Sequence, residues 1–185
     1  RETYDEKGNY ANDFLSNLCQ DWEKEALKAK SKNVKVSIFR FGIVLGKNGG
    51  AFQKMITPFK LGLGGIIGSG KQHFSYIHIE DLIQVYKFVI ENSLDGVFNC
   101  TAPTPTTNYE FTKTLGRVLN RPTIFPIPEF VLKLIFSEGA KVLTDGQSVI
   151  PKRLLDLGFN FKYKNIDETL KNLAKWSKFY GLEEI

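Results

Sequence analysis

Helical and strand-like patterns alternate along this chain, and the alternation limits it to an α/β fold with a parallel sheet. Two runs with the composition of buried strands lie at 34–41 and 97–102. Apolar spacing predicts helices over 12–28, 51–61 and 80–91, a capped helix from Thr107 to about Asn120, and later helices that begin at Pro128, cover 151–157 and follow Asn165. Shorter extended pieces are predicted at 74–77, 124–125 and 159–163, while the glycines of 42–50 predict a break between secondary-structure elements. Two strands cannot bury both faces of a parallel sheet, so we expect the sheet to be completed elsewhere.

The composition is typical of a globular protein, with 42% hydrophobic and 24% charged residues among 185. The net charge of +5 comes mainly from lysines interleaved with acids, which argues against a nucleic-acid partner. No uncharged run reaches the length of a membrane span, and nothing after Arg1 resembles a signal peptide. We therefore expect a cytoplasmic chain with no membrane partner, and one that is a fragment of a larger protein. Two cysteines, Cys19 and Cys100, supply neither a disulfide framework nor a zinc cluster.

Two segments imitate catalytic motifs without the context those motifs need. Residues 65–72 nearly match the phosphate-binding loop G-x-x-x-x-G-K-[ST], but Gln72 replaces the magnesium-binding hydroxyl and no strand precedes the loop. Tyr109 and Lys113 have the Y-x-x-x-K spacing of a catalytic dyad, yet this composition produces such a spacing by chance. We interpret the first as a surface loop bordering a ligand pocket and the second as an ordinary helical pair.

His73 and His78 are the only histidines, so the sequence predicts no metal site. Two roles stay open for His78: a hydrogen-bonded core histidine beneath a pocket, or a residue that contacts a ligand. Asp81 is predicted to act in the first turn of the helix that follows.

Five motifs occur in order: R-F-G-I-V-L at 40–45, G-L-G-G-I-I-G-S-G-K-Q at 62–72, Y-I-H-I-E-D-L at 76–82, F-N-C-T-A-P-T-P at 98–105, and P-K-R-L-L-D-L-G-F-N-F-K-Y at 151–163. In these the chain resembles the extended short-chain dehydrogenase/reductase superfamily, and most closely its bacterial epimerase family branch. The resemblance implies the C-terminal portion of such a protein. Residues 1–102 would be the end of a Rossmann-like NAD(P)-binding domain, and 103–185 a mainly helical substrate-binding lobe.

The resemblance also implies ligands and site residues. The cofactor would be NAD or NADP, although the glycine-rich loop that binds its pyrophosphate in the family is absent from this sequence. Cofactor contacts are implied at Arg40, Gly42 and Ile43, and contacts to a small-molecule substrate at Gln72, His73, His78, Asn99 and Arg153.

The chain departs from the family where the chemistry is concentrated. The tyrosine and lysine of the family's dyad fall on Leu15 and Cys19, which cannot transfer a proton as a phenol and an ammonium do. Two positions that hold the diphosphate in sugar-nucleotide epimerases are Ile43 and Phe74, which argues against a nucleotide-sugar substrate. The catalytic residues stay unassigned: the candidates for acid–base chemistry are Tyr4, Tyr10 and His78 in this chain, or residues of the absent segment.

Two functions therefore remain open. The complete protein is either an NAD(P)-dependent epimerase or oxidoreductase acting on a small polar substrate, or a non-catalytic module that binds NAD(P) or a metabolite. On either hypothesis this portion should be inactive alone. Because strand 34–41 and the helices beside it would lack packing partners, we also expect self-association.

Overall fold

The computed structural model describes residues 2–47, 49–124, 126–127 and 146–175. The strands are β1 (Thr3–Tyr4), β2 (Ser37–Phe41), β3 (Ile43–Leu45), β4 (Tyr76–His78), β5 (Gly96–Cys100) and β6 (Ser148–Val149). The helices are α1 (Phe14–Leu27), α2 (Gly50–Lys60), α3 (Ile79–Glu91), α4 (Asn108–Leu119), α5 (Lys152–Asp156) and α6 (Ile166–Lys175), with a 3-10 turn at Lys28–Lys32. The alternation of strands and helices confirms the predicted α/β class.

Every strand pair in the described ranges is parallel. β2 pairs with β5, β3 with β4, and β1 with β6. The register sets Arg40 opposite Asn99 and Ile43 opposite Tyr76. The prediction of parallel strands is thereby confirmed, in short ladders rather than one continuous sheet.

Gly42 lets the chain change partner between β2 and β3. Its N–H donates to Cys100 O at 3.0 Å, and the next N–H, that of Ile43, donates to Ser75 O at 2.8 Å. A Cβ on Gly42 would lie 2.8 Å from Ser75 O, so only glycine permits this close approach of two backbones. The prediction of a glycine-rich break between elements throughout 42–50 was wrong at this point, because Gly42 redirects the chain into a second strand, β3, instead of ending the extended structure.

Other boundaries shift by a few residues, and two predictions fall at least partly outside the described residues. The strand predicted at 34–41 is β2, which begins at Ser37, and the helix predicted over 80–91 is α3, which begins at Ile79. Ile124 belongs to no strand, while Phe125 and the helix predicted from Pro128 lie outside the described residues.

The described residues form two apolar core clusters, and successive residues of β4 point into different ones. Tyr76 joins the first with residues of α2, α4 and α6, and Ile77 joins the second with residues of α3, β5 and the segment 159–161. The first cluster contains residues from both sides of the domain boundary proposed at 102, which stays a prediction.

Helix α1 forms where helical spacing predicted it, but none of its residues is buried. Trp22 is 67% exposed, and Phe14 and Leu15 are exposed as well. The apolar stripe therefore faces outward. No helix in the described part is long and apolar enough to cross a membrane.

Candidate functional site

A cleft opens at the carboxyl ends of β3 and β4, where ligands bind in α/β folds with parallel strands. Its volume is about 480 Å³. One wall carries Val44, Gly46, Lys47, Gly49 and Gly50, and the other carries His78, Ile79 and Glu80. Val44 on the first wall belongs to the family motif at 40–45, and all three residues of the second wall belong to the motif at 76–82.

The amino end of α2 borders this cleft and carries no side-chain cap. Gly49 and Gly50 have φ of 140° and 68°, conformations that favour glycine, and a Cβ on either would meet no atom within 4 Å. Helix amino ends offer N–H groups that lack partners within the helix, and these can bind an oxygen of a ligand. The cleft is therefore wide at this end and lined by hydrogen-bond donors.

His78 is a core histidine that holds two parts of the chain together. It is 1% exposed, and its Nδ1 accepts from the N–H of Glu80 at 3.0 Å. Its Nε2 therefore carries the proton and donates to Asn172 Oδ1 at 3.2 Å, while its ring stacks on Tyr163 with centroids 3.8 Å apart. Burial lowers the pKa of His78, so the ring is neutral near pH 7. These contacts favour the core role over direct ligand contact by the ring.

Asp81 and Glu80 also hold the first turn of α3 to residues 162–163. The carboxylate of Asp81, which is 2% exposed, accepts from the N–H of Lys162 and of Tyr163, each at 2.9 Å. Glu80 Oε2 accepts from Lys162 Nζ at 2.8 Å and from the Tyr163 hydroxyl at 3.0 Å, and the Lys162 ammonium lowers the pKa of Glu80. Sequence reasoning placed Asp81 in the first helical turn but missed its distant partners, and it did not assign Glu80 to the cleft.

Arg40, a predicted cofactor contact, is engaged by protein groups. Its Nε and one terminal nitrogen donate to the Glu23 carboxylate at 2.7 and 2.8 Å. It also donates to Glu6 O at 3.3 Å and to the Tyr10 hydroxyl, and its hydrogen bond to the Glu23 carboxylate raises its pKa. The guanidinium thus fastens α1 and the amino-terminal segment to β2. Its assignment to the cofactor stays a prediction, as do those of Gly42 and Ile43, which pack against the backbone of β4.

Gln72 and His73 lie together beside the amino end of α4, away from the walls of the cleft. Gln72 Nε2 donates to Ile67 O at 3.0 Å, and its backbone oxygen accepts from the N–H of Asn108 at 2.9 Å. His73 forms a bridge with Thr107, and its Nδ1 is buried without a hydrogen bond from the described residues. Their predicted substrate contacts remain untested.

Asn99 and Arg153 are likewise held by the protein. Asn99 Nδ2 donates to Ile150 O at 3.1 Å. Arg153 donates to Val97 O at 3.1 Å, toward the amino end of β5, which is the opposite end of the strand from the carboxyl edge. The Glu6 carboxylate joins the two residues, accepting from the N–H of each. Their positions give no support to substrate contact, and the structure does not bring them to the cleft with His78.

The three candidates for acid–base chemistry are poorly placed for it. A hydrogen bond to Glu2 raises the pKa of Tyr4, and burial together with a hydrogen bond to Glu23 raises that of Tyr10. A phenol that acts near neutral pH needs the opposite shift. Both nitrogens of His78 are already used.

The segment 109–113 is an ordinary helical pair, as interpreted, whereas the ligand pocket expected beside residues 65–72 stays a prediction, because other residues line the cleft. Residues 65–72 form a loop with no strand before it and no helix directly after it, held to α4 by the Asn108 side chain, which accepts from the N–H of Ile67 at 2.9 Å. Lys113 Nζ donates to Thr123 O at 2.9 Å and lies 5.8 Å from the Tyr109 ring centroid. Neither segment has the geometry of the motif that it imitates.

Comparison with known proteins places these motifs in a family. Residues 127–173 match a domain of unknown function, DUF1731. The epimerase family protein SDR39U1 homolog of Arabidopsis thaliana, a chloroplastic protein, is 45% identical over 93% of this chain and 50% of its own length. An epimerase family protein of Staphylococcus aureus is 42% identical over 88% of this chain and 55% of its own length.

Solved structures give the same result. The crystal structure of human epimerase family protein SDR39U1 with NADPH matches with a TM-score of 0.83 at 38% identity, covering 94% of this chain and 60% of that one. A nucleoside-diphosphate sugar epimerase from Corynebacterium glutamicum matches with a TM-score of 0.72 at 28% identity, covering 96% of this chain and 36% of that one. The chain thus spans about half the length of the curated relatives that it matches. Over most of its length the chain is similar in sequence and in fold to the epimerase family of extended short-chain dehydrogenase/reductase proteins.

Proposed function

We propose that this chain supplies the substrate side of an NAD(P)-dependent epimerase or oxidoreductase that acts on a small polar molecule. The cleft between the amino ends of α2 and α3 carries the proposal, because it lies at the carboxyl edge of parallel strands. The family supports it as well, since a human relative was crystallised with NADPH. Two unpaired cysteines among the described residues also suit the reducing cytoplasm that we propose for the protein.

The cleft has a definite chemical character. Lys47 and the uncapped end of α2 favour oxygen acceptors of a ligand, while the Glu80 carboxylate, opposite them, favours hydroxyl donors. Val44 and Ile79 add apolar surface between these groups. A molecule that carries both donors and acceptors on a short carbon skeleton would satisfy both walls.

This sequence contains no glycine-rich loop that could bind the pyrophosphate of the coenzyme. Arg40 is engaged by Glu23, and Gly42 and Ile43 are packed against β4. The helix amino end that borders the cleft, that of α2, follows no G-x-G-x-x-G sequence. The pyrophosphate of NAD or NADP would therefore bind residues outside this sequence, whatever contacts Arg40, Gly42 and Ile43 add, and we expect this chain alone to bind no NADPH in a fluorescence titration.

The complete protein provides the test of catalysis. NADPH oxidation is followed in the near ultraviolet with a panel of small aldehydes, ketones and keto sugars. Glu80→Gln should lower kcat/KM for any active compound by about tenfold, the value of one charge-assisted hydrogen bond. Glu91→Gln, at the far end of the same helix, is the matched control and should leave kcat/KM unchanged. Turnover that is equally insensitive to both variants would place the substrate elsewhere.

A non-catalytic binding module is the second candidate, and one observation favours it. Leu15 and Cys19 occupy the places of the family dyad, and none of Tyr4, Tyr10 and His78 is poised for proton transfer. Tight NADPH binding by the complete protein, with no turnover of any panel compound, would support this candidate over the enzyme.

A further inference from the structure

Tyr163 packs against the wall of the cleft that carries His78 and Glu80. Its side chain is buried, and its ring stacks on the His78 ring with centroids 3.8 Å apart. Its backbone N–H donates to Asp81 Oδ2 at 2.9 Å. A side chain whose ring is stacked and whose backbone is hydrogen-bonded has little freedom left, so the position of its hydroxyl is set before any ligand binds.

The Tyr163 hydroxyl holds one oxygen of the Glu80 carboxylate. It donates to Glu80 Oε2 at 3.0 Å, and Lys162 Nζ donates to the same oxygen at 2.8 Å. Within the described ranges both hydrogen bonds to this carboxylate end on Oε2, so Oε1 keeps its lone pairs. Because Glu80 lines the cleft, Oε1 is an acceptor available to a ligand there.

The ion pair between Lys162 and Glu80 does not fix this orientation by itself. The side chain of Lys162 is 66% exposed, and that of Glu80 is 41% exposed. Long exposed side chains retain several rotamers, and solvent screens the attraction between their charges. The buried Tyr163 ring therefore supplies the rigid support that the ion pair lacks.

The segment 162–163 is held in place without the Tyr163 hydroxyl. Asp81 accepts the N–H groups of Lys162 and Tyr163, each at 2.9 Å, and its carboxylate is buried. The stack on His78 needs the ring and not the hydroxyl. What tyrosine adds over phenylalanine at this position is the contact with Glu80.

We propose that Tyr163 is a positioning residue of the cleft, whose hydroxyl orients the Glu80 carboxylate so that Oε1 accepts a hydroxyl group of the ligand. The inference rests on the proposed function, in which Glu80 binds the substrate. Tyr163 does not line the cleft, so its effect on the ligand is exerted through Glu80.

Tyr163→Phe in the complete protein removes this hydroxyl and keeps the ring. NADPH oxidation is followed with the panel compound that has the highest kcat/KM. KM should rise about threefold to tenfold while kcat stays the same, because the lost contact serves ground-state and transition-state binding alike. Tyr109→Phe is the matched control: it makes the same chemical change on an exposed ring of α4 and should alter neither constant.

A double-mutant cycle shows whether Tyr163 acts through Glu80. In the Glu80→Ala background, Tyr163→Phe should change KM by less than about twofold, because the carboxylate that the hydroxyl orients is gone. An equal rise of KM in both backgrounds would overturn the inference. So would an effective Glu80→Ala together with an ineffective Tyr163→Phe. Both results would leave the proposed function standing.

Carbon-13 NMR of the Glu80 carboxyl supplies a readout that needs no ligand. The hydrogen bond from Lys162, and after it the one from the Tyr163 hydroxyl, lowers the pKa of Glu80. Lys47 and His78, the other ionisable groups of the cleft, are unchanged by Tyr163→Phe. This variant should therefore raise the pKa of Glu80 and move the acid-side fall of kcat/KM to higher pH, and the control variant should shift neither.

Two further results decide the matter. An unchanged Glu80 pKa in Tyr163→Phe would overturn the inference alone. Turnover that is indifferent to Glu80→Ala, or no turnover of any panel compound, would remove the proposed function and this inference together.

Discussion

Removing the Asp81 carboxylate should destabilise the chain more than any other single change at the cleft. This side chain is 2% exposed and accepts two backbone N–H groups, from Lys162 and Tyr163, both at 2.9 Å. A hydrogen bond to a charged group contributes roughly 1.5–3 kcal/mol, and a buried N–H left without a partner costs a comparable amount. For Asp81→Ala we therefore expect a loss of about 3–5 kcal/mol in the free energy of unfolding.

Two further variants divide this loss. Asp81→Asn keeps the size of the side chain and one accepting oxygen, so about half of the loss should remain. Glu80→Gln changes a neighbouring carboxylate whose contacts, to Lys162 Nζ and the Tyr163 hydroxyl, are far more exposed. Solvent screens such contacts, and the effect of Glu80→Gln should be the smallest of the three.

Urea unfolding at one protein concentration, followed by circular dichroism and tryptophan fluorescence, measures all three variants. The slope of the free energy against urea should stay constant, which would show that the folded state is changed locally and not globally. An Asp81→Ala variant within 1 kcal/mol of the wild type, or one more stable than Glu80→Gln, would refute the reasoning.

Three other predictions concern single groups. Because burial holds the pKa of His78 below its ordinary 6.5, the unfolded chain takes up a proton that the folded chain excludes. The free energy of unfolding should therefore fall as the pH drops through about 6.5 and level off below the folded pKa. Urea titrations at successive pH values should show no such fall for His78→Gln. The same dependence of the unfolding free energy on pH in both proteins would contradict this prediction. Iodoacetamide should label the exposed Cys19 and spare Cys100, because burial raises the pKa of the Cys100 thiol to about 12. Mass spectrometry of the labelled native protein measures this, and labelling at Cys100 would contradict the prediction. Gly42→Ala should lower the free energy of unfolding by roughly 1–3 kcal/mol, since its Cβ would lie 2.8 Å from Ser75 O, and an unchanged urea midpoint would show that β4 yields without cost.

Local signals in the sequence predicted local structure well. Thr107 and Glu110 form the expected capping box, with the Thr107 N–H donating to Glu110 Oε2 at 2.7 Å. Gly158 follows α5 with a φ of 79°, and the Asn165 side chain accepts from the N–H of Glu168 at 3.0 Å. These contacts join residues within one helical turn, so spacing alone is enough to predict them.

The site was harder to predict because its contacts join distant residues. The prediction that Arg40 binds cofactor came from family motifs, and nothing in the local sequence indicates that Glu23 would bind its guanidinium. Asp81 was correctly placed in the first turn of a helix. Its partners, Lys162 and Tyr163, lie about eighty residues further along the chain, at a separation where periodicity carries no information.

The sequence by itself determined the α/β class, the position of most helices and strands, the helix caps and the resemblance to a family. Those properties depend on side-chain periodicity and on residues that are neighbours along the chain. Only the tertiary structure decided that Gly42 switches a strand between partners, that His78 and Asp81 hold a distant segment, and that the apolar stripe of α1 faces outward. Each of these depends on which surfaces meet in space, and burial and hydrogen bonding between remote residues are settled only when the chain has packed.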